Sequence, residues 1–210
     1  VKVQRLLFLI GRIRSQEKDL LTRAVWQRLA EADGLNSFLN ILKDTSYASA
    51  ALEGATFEKF EASLVAQLKT LKNDLFSVTH FSFETLLWRK YDIHNLKLLL
   101  KMKFGFKDLR RYLIDCGEVP VTLFEQFIID NEKVALPLFW IKIIHKAREV
   151  YEKNNDSFAK LDGFLDEILY QDLLKEARKY GGEVPRFVKQ QIDAANLKVW
   201  WFSKKQKEHE

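Results

Sequence analysis

From Phe57 to Phe76 the apolar residues Phe57, Phe60, Leu64, Leu68 and Leu71 recur at three- and four-residue spacing. That is the repeat of an amphipathic helix with one stripe turned to a core. The same rhythm runs through residues 1–31, where Leu6, Leu7, Ile10 and Ile13 lead into Leu20, Leu21, Val25 and Leu29. No stretch alternates apolar and polar residues over the length that a half-buried strand needs. Only 8 glycines and 3 prolines are spread over 210 residues, too little turn chemistry for a fold of many short strands. The chain is therefore expected to be all-α.

With 47% hydrophobic and 13% aromatic residues, a chain of this length can bury a sizeable core. Further helices are predicted over 33–48, opened by Asp33 or Asn36 and closed near Asp44–Thr45, and over 80–91, running toward Asp92. Another runs from Asp92 to about Phe104, where Gly105 interrupts it and 106–116 forms a short continuation. The next covers 131–154, with Pro137 in its first turn or at a kink. Residues 157–180 follow, weakened or split at Gly163 and stopped by Gly181–Gly182. Pro185 opens a last helix before the charged tail KQKEHE. Gly117 and Pro120 mark the main break, which predicts two similar multi-helix modules, 1–118 and 119–210.

The apolar runs 6–10 and 135–141 fall far short of the roughly 20 residues of a membrane-spanning helix. No small-residue cleavage site follows the basic N-terminal stretch, so a cytoplasmic protein with no membrane span of its own is expected. A single cysteine, Cys116, excludes an internal disulfide and reads as a buried apolar residue. Catalytic chemistry is not written in recognisable form. There is no glycine-rich phosphate loop and no HExxH, and the four histidines are dispersed. No catalytic, cofactor-binding or metal-binding residue is assigned, and no enzyme is expected. The net charge of +5 comes from 34 basic and 29 acidic residues that intersperse almost everywhere, so solvated helix faces are the reading and no nucleic acid is expected.

One pattern is written twice. Residues 90–101 read KYDIHNLKLLLK and residues 191–202 read QIDAANLKVWWF. Asp92, Asn95 and Lys97 return as Asp193, Asn196 and Lys198, each trio opening an apolar run. As scaffolding, the aspartates would cap helices, the asparagines would reach back toward the cap or a preceding loop, and the lysines would snorkel or pair with an acid on a neighbouring helix. The alternative is direct contact with a partner. Trp200 and Trp201 are adjacent, so they cannot both face one core. One of them is expected to meet another helix, a missing domain or a neighbouring protein.

The order and spacing of several islands resemble one family. They are Arg12 and Arg14 in the opening helix, the segment Leu35–Leu52 with Leu39, Leu42, Thr45 and Tyr47, then Tyr91 to Lys97, then the second copy at 193–198. Together they resemble the C subunit of V/A-type rotary ATPases, whose eukaryotic V-ATPase homologue is termed d. The resemblance implies an all-helical, funnel-shaped chain of similar modules, usually three. This chain shows two, as a fragment or a shortened member would. The second copy departs by having Ala194–Ala195 where the first has Ile93–His94, and by its aromatic run. The implied role is a non-catalytic central-stalk coupling subunit with no cofactor. Its implied partners are the rotor shaft subunits and the membrane rotor ring that translocates ions, at the inner face of the membrane. A helical scaffold or nucleic-acid-binding module of unrelated descent is the alternative.

Overall fold

The computed structural model describes residues 2–49, 56–78 and 84–207, with the side chains of some residues at the edges of these ranges, Leu6 and Phe57 among them, left outside. The predicted start of a helix at 80–83, the end of the Leu35–Leu52 island and residues 208–210 of the tail lie outside the described residues. Among the described residues all regular structure is helical: α1 (Lys2–Glu17), α2 (Arg23–Ala30), α3 (Leu35–Lys43), α4 (Phe57–Val78), α5 (Glu84–Lys103), α6 (Val121–Ile128), α7 (Leu138–Lys153), α8 (Phe158–Arg178) and α9 (Glu183–Lys207), with a 3-10 turn at Arg110–Tyr112. The all-α expectation holds.

Boundaries differ from the sequence reading where caps decide them. The 1–31 region is two helices, because Thr22 caps α2 by accepting from the N–H of Val25. Gly34, not Asp33 or Asn36, is the residue that precedes α3, at φ +142°. Residues 106–116 hold only the 3-10 turn. Pro137 stands just before α7 rather than within it. Gly163 leaves α8 unbroken, while Pro185 is taken into the first turn of α9.

The described chain divides into two compact units, residues 1–81 and 82–210. The first is built around Leu29, Leu39, Leu42 and Phe60, with Phe38 edge-on to Phe60 at 5.9 Å. Arg12 of α1 pairs with Asp74 of α4 at 2.6 Å. The predicted stripe of α1 is not a core face, since Leu7, Ile10 and Ile13 are exposed. The second unit has the larger core, including Leu96, Leu99 and Leu100 of α5, Phe124 and Ile128 of α6, and Leu161 and Leu165 of α8. The turn at Gly117–Pro120, expected to mark a module boundary, lies inside this second unit. Its backbone is bonded to Asp92 of α5, so a cut there would divide that contact.

Candidate functional site

The first copy of the repeated pattern lies in the middle of α5, so Asp92 caps nothing on its own helix. It reaches the loop after the 3-10 turn instead. The carboxylate accepts from the N–H of Glu118 at 2.8 Å and of Val119 at 3.1 Å. One turn on, Asn95 meets the main chain of Ile114 from both sides. Its amide donates to the Ile114 carbonyl at 2.8 Å, and its carbonyl accepts the Ile114 N–H at 2.9 Å. Asp92 and Asn95 are fully buried, and buried polar groups of this kind persist because each has its partner. Between the two contacts Gly117 passes so close that an added Cβ would lie 1.9 Å from Asp92 Oδ1. Asp115 takes the N–H of Val121 at 3.2 Å and so serves the start of α6.

Charge surrounds this clamp. Arg89, one turn before Asp92, holds Glu118 with two guanidinium nitrogens at 3.1 and 2.7 Å and also bonds Asp172 of α8. Its guanidinium stacks over the rings of Phe139 and Trp140 at 4.8 and 5.1 Å. Lys97 pairs with Asp166 at 2.6 Å and Lys101 with Asp162 at 2.7 Å, so α5 and α8 are joined by a ladder of ion pairs. Lys97 thus follows the reading of a lysine paired across helices. His94, two residues after Asp92, donates to the carbonyl of Tyr112 at 2.9 Å. Burial pushes the Asp92 carboxyl up to about 7, against the pull of the Glu118 and Val119 N–H groups.

The second copy stands differently. Asp193, Asn196 and Lys198 lie in the middle of α9, and all three are exposed. Leu197 is 64% exposed and Trp200 58%, against 0% for their counterparts Leu96 and Leu99. Trp201 is exposed as well. The expected capping role fails for both aspartates, because both sit mid-helix. Arg89 and the loop 114–119 escaped the sequence reading. The only trace was the close Gly117–Pro120 signal, whose tetrapeptide Gly-Glu-Val-Pro recurs at 182–185.

Among the described residues no group of three or more His, Cys, Asp or Glu side chains could hold a metal ion. No helix of them is long and apolar enough to cross a membrane. A groove lined by Met102, Lys103, Phe106, Asp108, Arg110 and Ile129 has its cations engaged, Arg110 with Glu125 and Asp108, Lys103 with the Ile129 carbonyl. The arrangement around Asp92 and Asn95 is one that positions backbone.

Comparison with known proteins gives the family. The family model described as ATP synthase (C/AC39) subunit matches residues 9–210. The chain is 28% identical over 207 residues to the C subunit of the A-type ATP synthase of Methanocaldococcus jannaschii, covering 90% of this chain and 52% of that protein. It is 25% identical over 177 residues to the C subunit of the V-type sodium ATPase of Enterococcus hirae, covering 82% and 51%. With the C subunit of the A-type ATP synthase of Thermococcus kodakarensis it shares 24% over 197 residues, covering 89% and 54%. The chain therefore spans about half the length of the curated relatives it matches. No solved structure gives a significant match.

Proposed function

The chain belongs to the ATP synthase (C/AC39) subunit family, and on that premise we propose that it is a non-catalytic central-stalk coupling subunit of a V/A-type rotary ATPase. In this reading it links the rotor shaft subunits to the membrane ring that translocates ions, and it sits peripherally at the cytoplasmic face. The observation that carries the proposal is the family match across residues 9–210. The geometry agrees with it: the buried acid Asp92 is spent on main-chain N–H groups, as in a protein whose work is shape and contact. The repeated pattern belongs to the same proposal, with α5 and α9, both within residues 82–210, as two copies of one helix.

The test is co-purification with a membrane rotor ring and with shaft subunits. Retention by both is the expected result, with no ATP hydrolysis by the purified chain. Failure to bind either, together with salt-sensitive binding to nucleic acid, would overturn the proposal in favour of an unrelated binding module.

A further inference from the structure

We propose that the second half of α9 is an open copy of the clamp that α5 closes, built to hold a polypeptide loop with glycine ahead of two main-chain N–H donors and an apolar helix behind it. The inference rests on the first copy's geometry and stands whether or not the chain is a coupling subunit. In α5 the stripe Asp92, Asn95, Leu96, Leu99 follows the i, i+3, i+4, i+7 spacing of one helix face. The aspartate takes two successive N–H groups, the asparagine takes both main-chain groups of Ile114, and the leucines are fully buried in the core shared with α6. In α9 the same spacing gives Asp193, Asn196, Leu197, Trp200, and here the whole stripe is exposed.

The rest of α9 is anchored, since Val188 is buried in the core and Val184 and Ile192 pack on it. The open stripe therefore continues a helix whose inner face is already occupied. Charge complements the proposed occupant. Asp193 is an acceptor for main-chain N–H groups. Lys204 stands where Lys103 stands in the first copy, and Lys103 holds the carbonyl of Ile129 at the end of α6. Until such a carbonyl arrives, Lys204 lies over the ring of Trp200 at 5.7 Å. The occupant is therefore a segment of the 113–129 type: a residue read by Asn196, glycine three positions on, two N–H groups for Asp193, then a helix whose apolar face covers Leu197 and Trp200. The second Gly-Glu-Val-Pro of this chain, at 182–185, does not supply it, because it forms the start of α9 itself.

The test titrates the full chain into a fluorescently labelled peptide with the sequence of residues 112–130 and reads anisotropy. A second format fuses that peptide behind residue 210 through a flexible glycine–serine linker, which raises its effective concentration to about the millimolar range, and reads a blue shift of tryptophan emission. Saturable binding is expected, weakened about tenfold or more by Asp193→Ala, by Asn196→Ala and by Gly117→Ala within the peptide. Gln191→Ala, on another face of α9, is expected to leave it unchanged. The aspartate and asparagine are exposed, so their substitution leaves the fold intact. No binding in either format overturns the proposal, as does binding indifferent to Asp193 and Asn196. Self-association of the chain that is lost in Trp200→Ala and excludes the peptide also overturns it, making the face a contact between two copies.

Discussion

Asp92 is held by groups that carry no side-chain identity, so its replacement exposes the cost of orphaned N–H groups directly. Asp92→Ala leaves the buried N–H of Val119 and that of Glu118 without acceptors, a loss of about 2–5 kcal/mol from two such groups. The same change at exposed Asp193 is expected to stay within about 0.5 kcal/mol. Urea denaturation of the two variants side by side measures the contrast, and equal effects would show that the burial difference is not energetic. Gly117→Ala drives a Cβ to 1.9 Å from Asp92 Oδ1 and is expected to cost about 1–3 kcal/mol through forced displacement. The acid also predicts a pH dependence. Its carboxyl is raised from 3.8 to about 7 by burial, so between those values the folded chain keeps a proton that the unfolded chain releases. Stability then falls as pH rises through that window, and Asp92→Asn flattens the slope. Thermal unfolding followed from pH 4 to pH 8 tests the sign.

At the scale of elements, α5 and α8 are joined by three cations of unequal worth. Lys97 with Asp166 is a half-exposed pair, and a double-mutant cycle is expected to give about 0.2–1 kcal/mol. Arg89 is more enclosed, bridges the clamp loop to α8 and stacks on two rings. Arg89→Ala strands Glu118 and Asp172 and is expected to cost about 3–5 kcal/mol. A smaller loss for Arg89 than for Lys97 would contradict this ranking. The helices themselves were legible from periodicity, because Leu96, Leu99 and Leu100 or Leu161 and Leu165 must share a face to be buried. Their ends were less so: Gly34 and Thr22 decide α3 and α2, and nothing in the local composition ranks Gly34 above Asp33. The recurring Asp-x-x-Asn-Leu-Lys drew notice by spacing alone. Its partner did not, because loop 114–119 contributes main-chain atoms from some twenty residues away, and only Gly117 marks the place. Nor does the spacing tell a closed copy from an open one, as the two have the same residues and opposite burial.

Among the described residues there are two hydrophobic cores, and the larger one, within 82–210, contains both the clamp and its covering helices. Residues 82–210 expressed alone are therefore expected to keep their helical content and to unfold cooperatively, as circular dichroism in urea will show. A gradual, non-cooperative loss would mean that the first unit is needed to complete it. By contrast, residues 1–118 alone would retain Asp92 without Val119 and without α6, α7 and α8, and are expected not to bury α5. The difference between these two cuts follows from a compact unit that runs over residues 82–210. The fold class was readable from the sequence because helical periodicity is local. The path of the loop was not, because Gly117 and Pro120 look the same in the sequence whether they separate two modules or thread a loop under a helix.

The contact between α5 and loop 114–119 has a consequence for how such a chain drifts over generations. Asp92 and Asn95 grip amide groups that every residue except proline presents, so Ile114 and Val119 can change without any compensating change at those two positions. Paired substitutions are the usual statistical trace of a contact, and these main-chain bonds give none; between helix and loop only side-chain pairs such as Arg89 with Glu118 can leave one. A covariation map of relatives is therefore expected to stay nearly blank at Asp92 and Asn95, although a side chain at Gly117 would collide with the carboxylate.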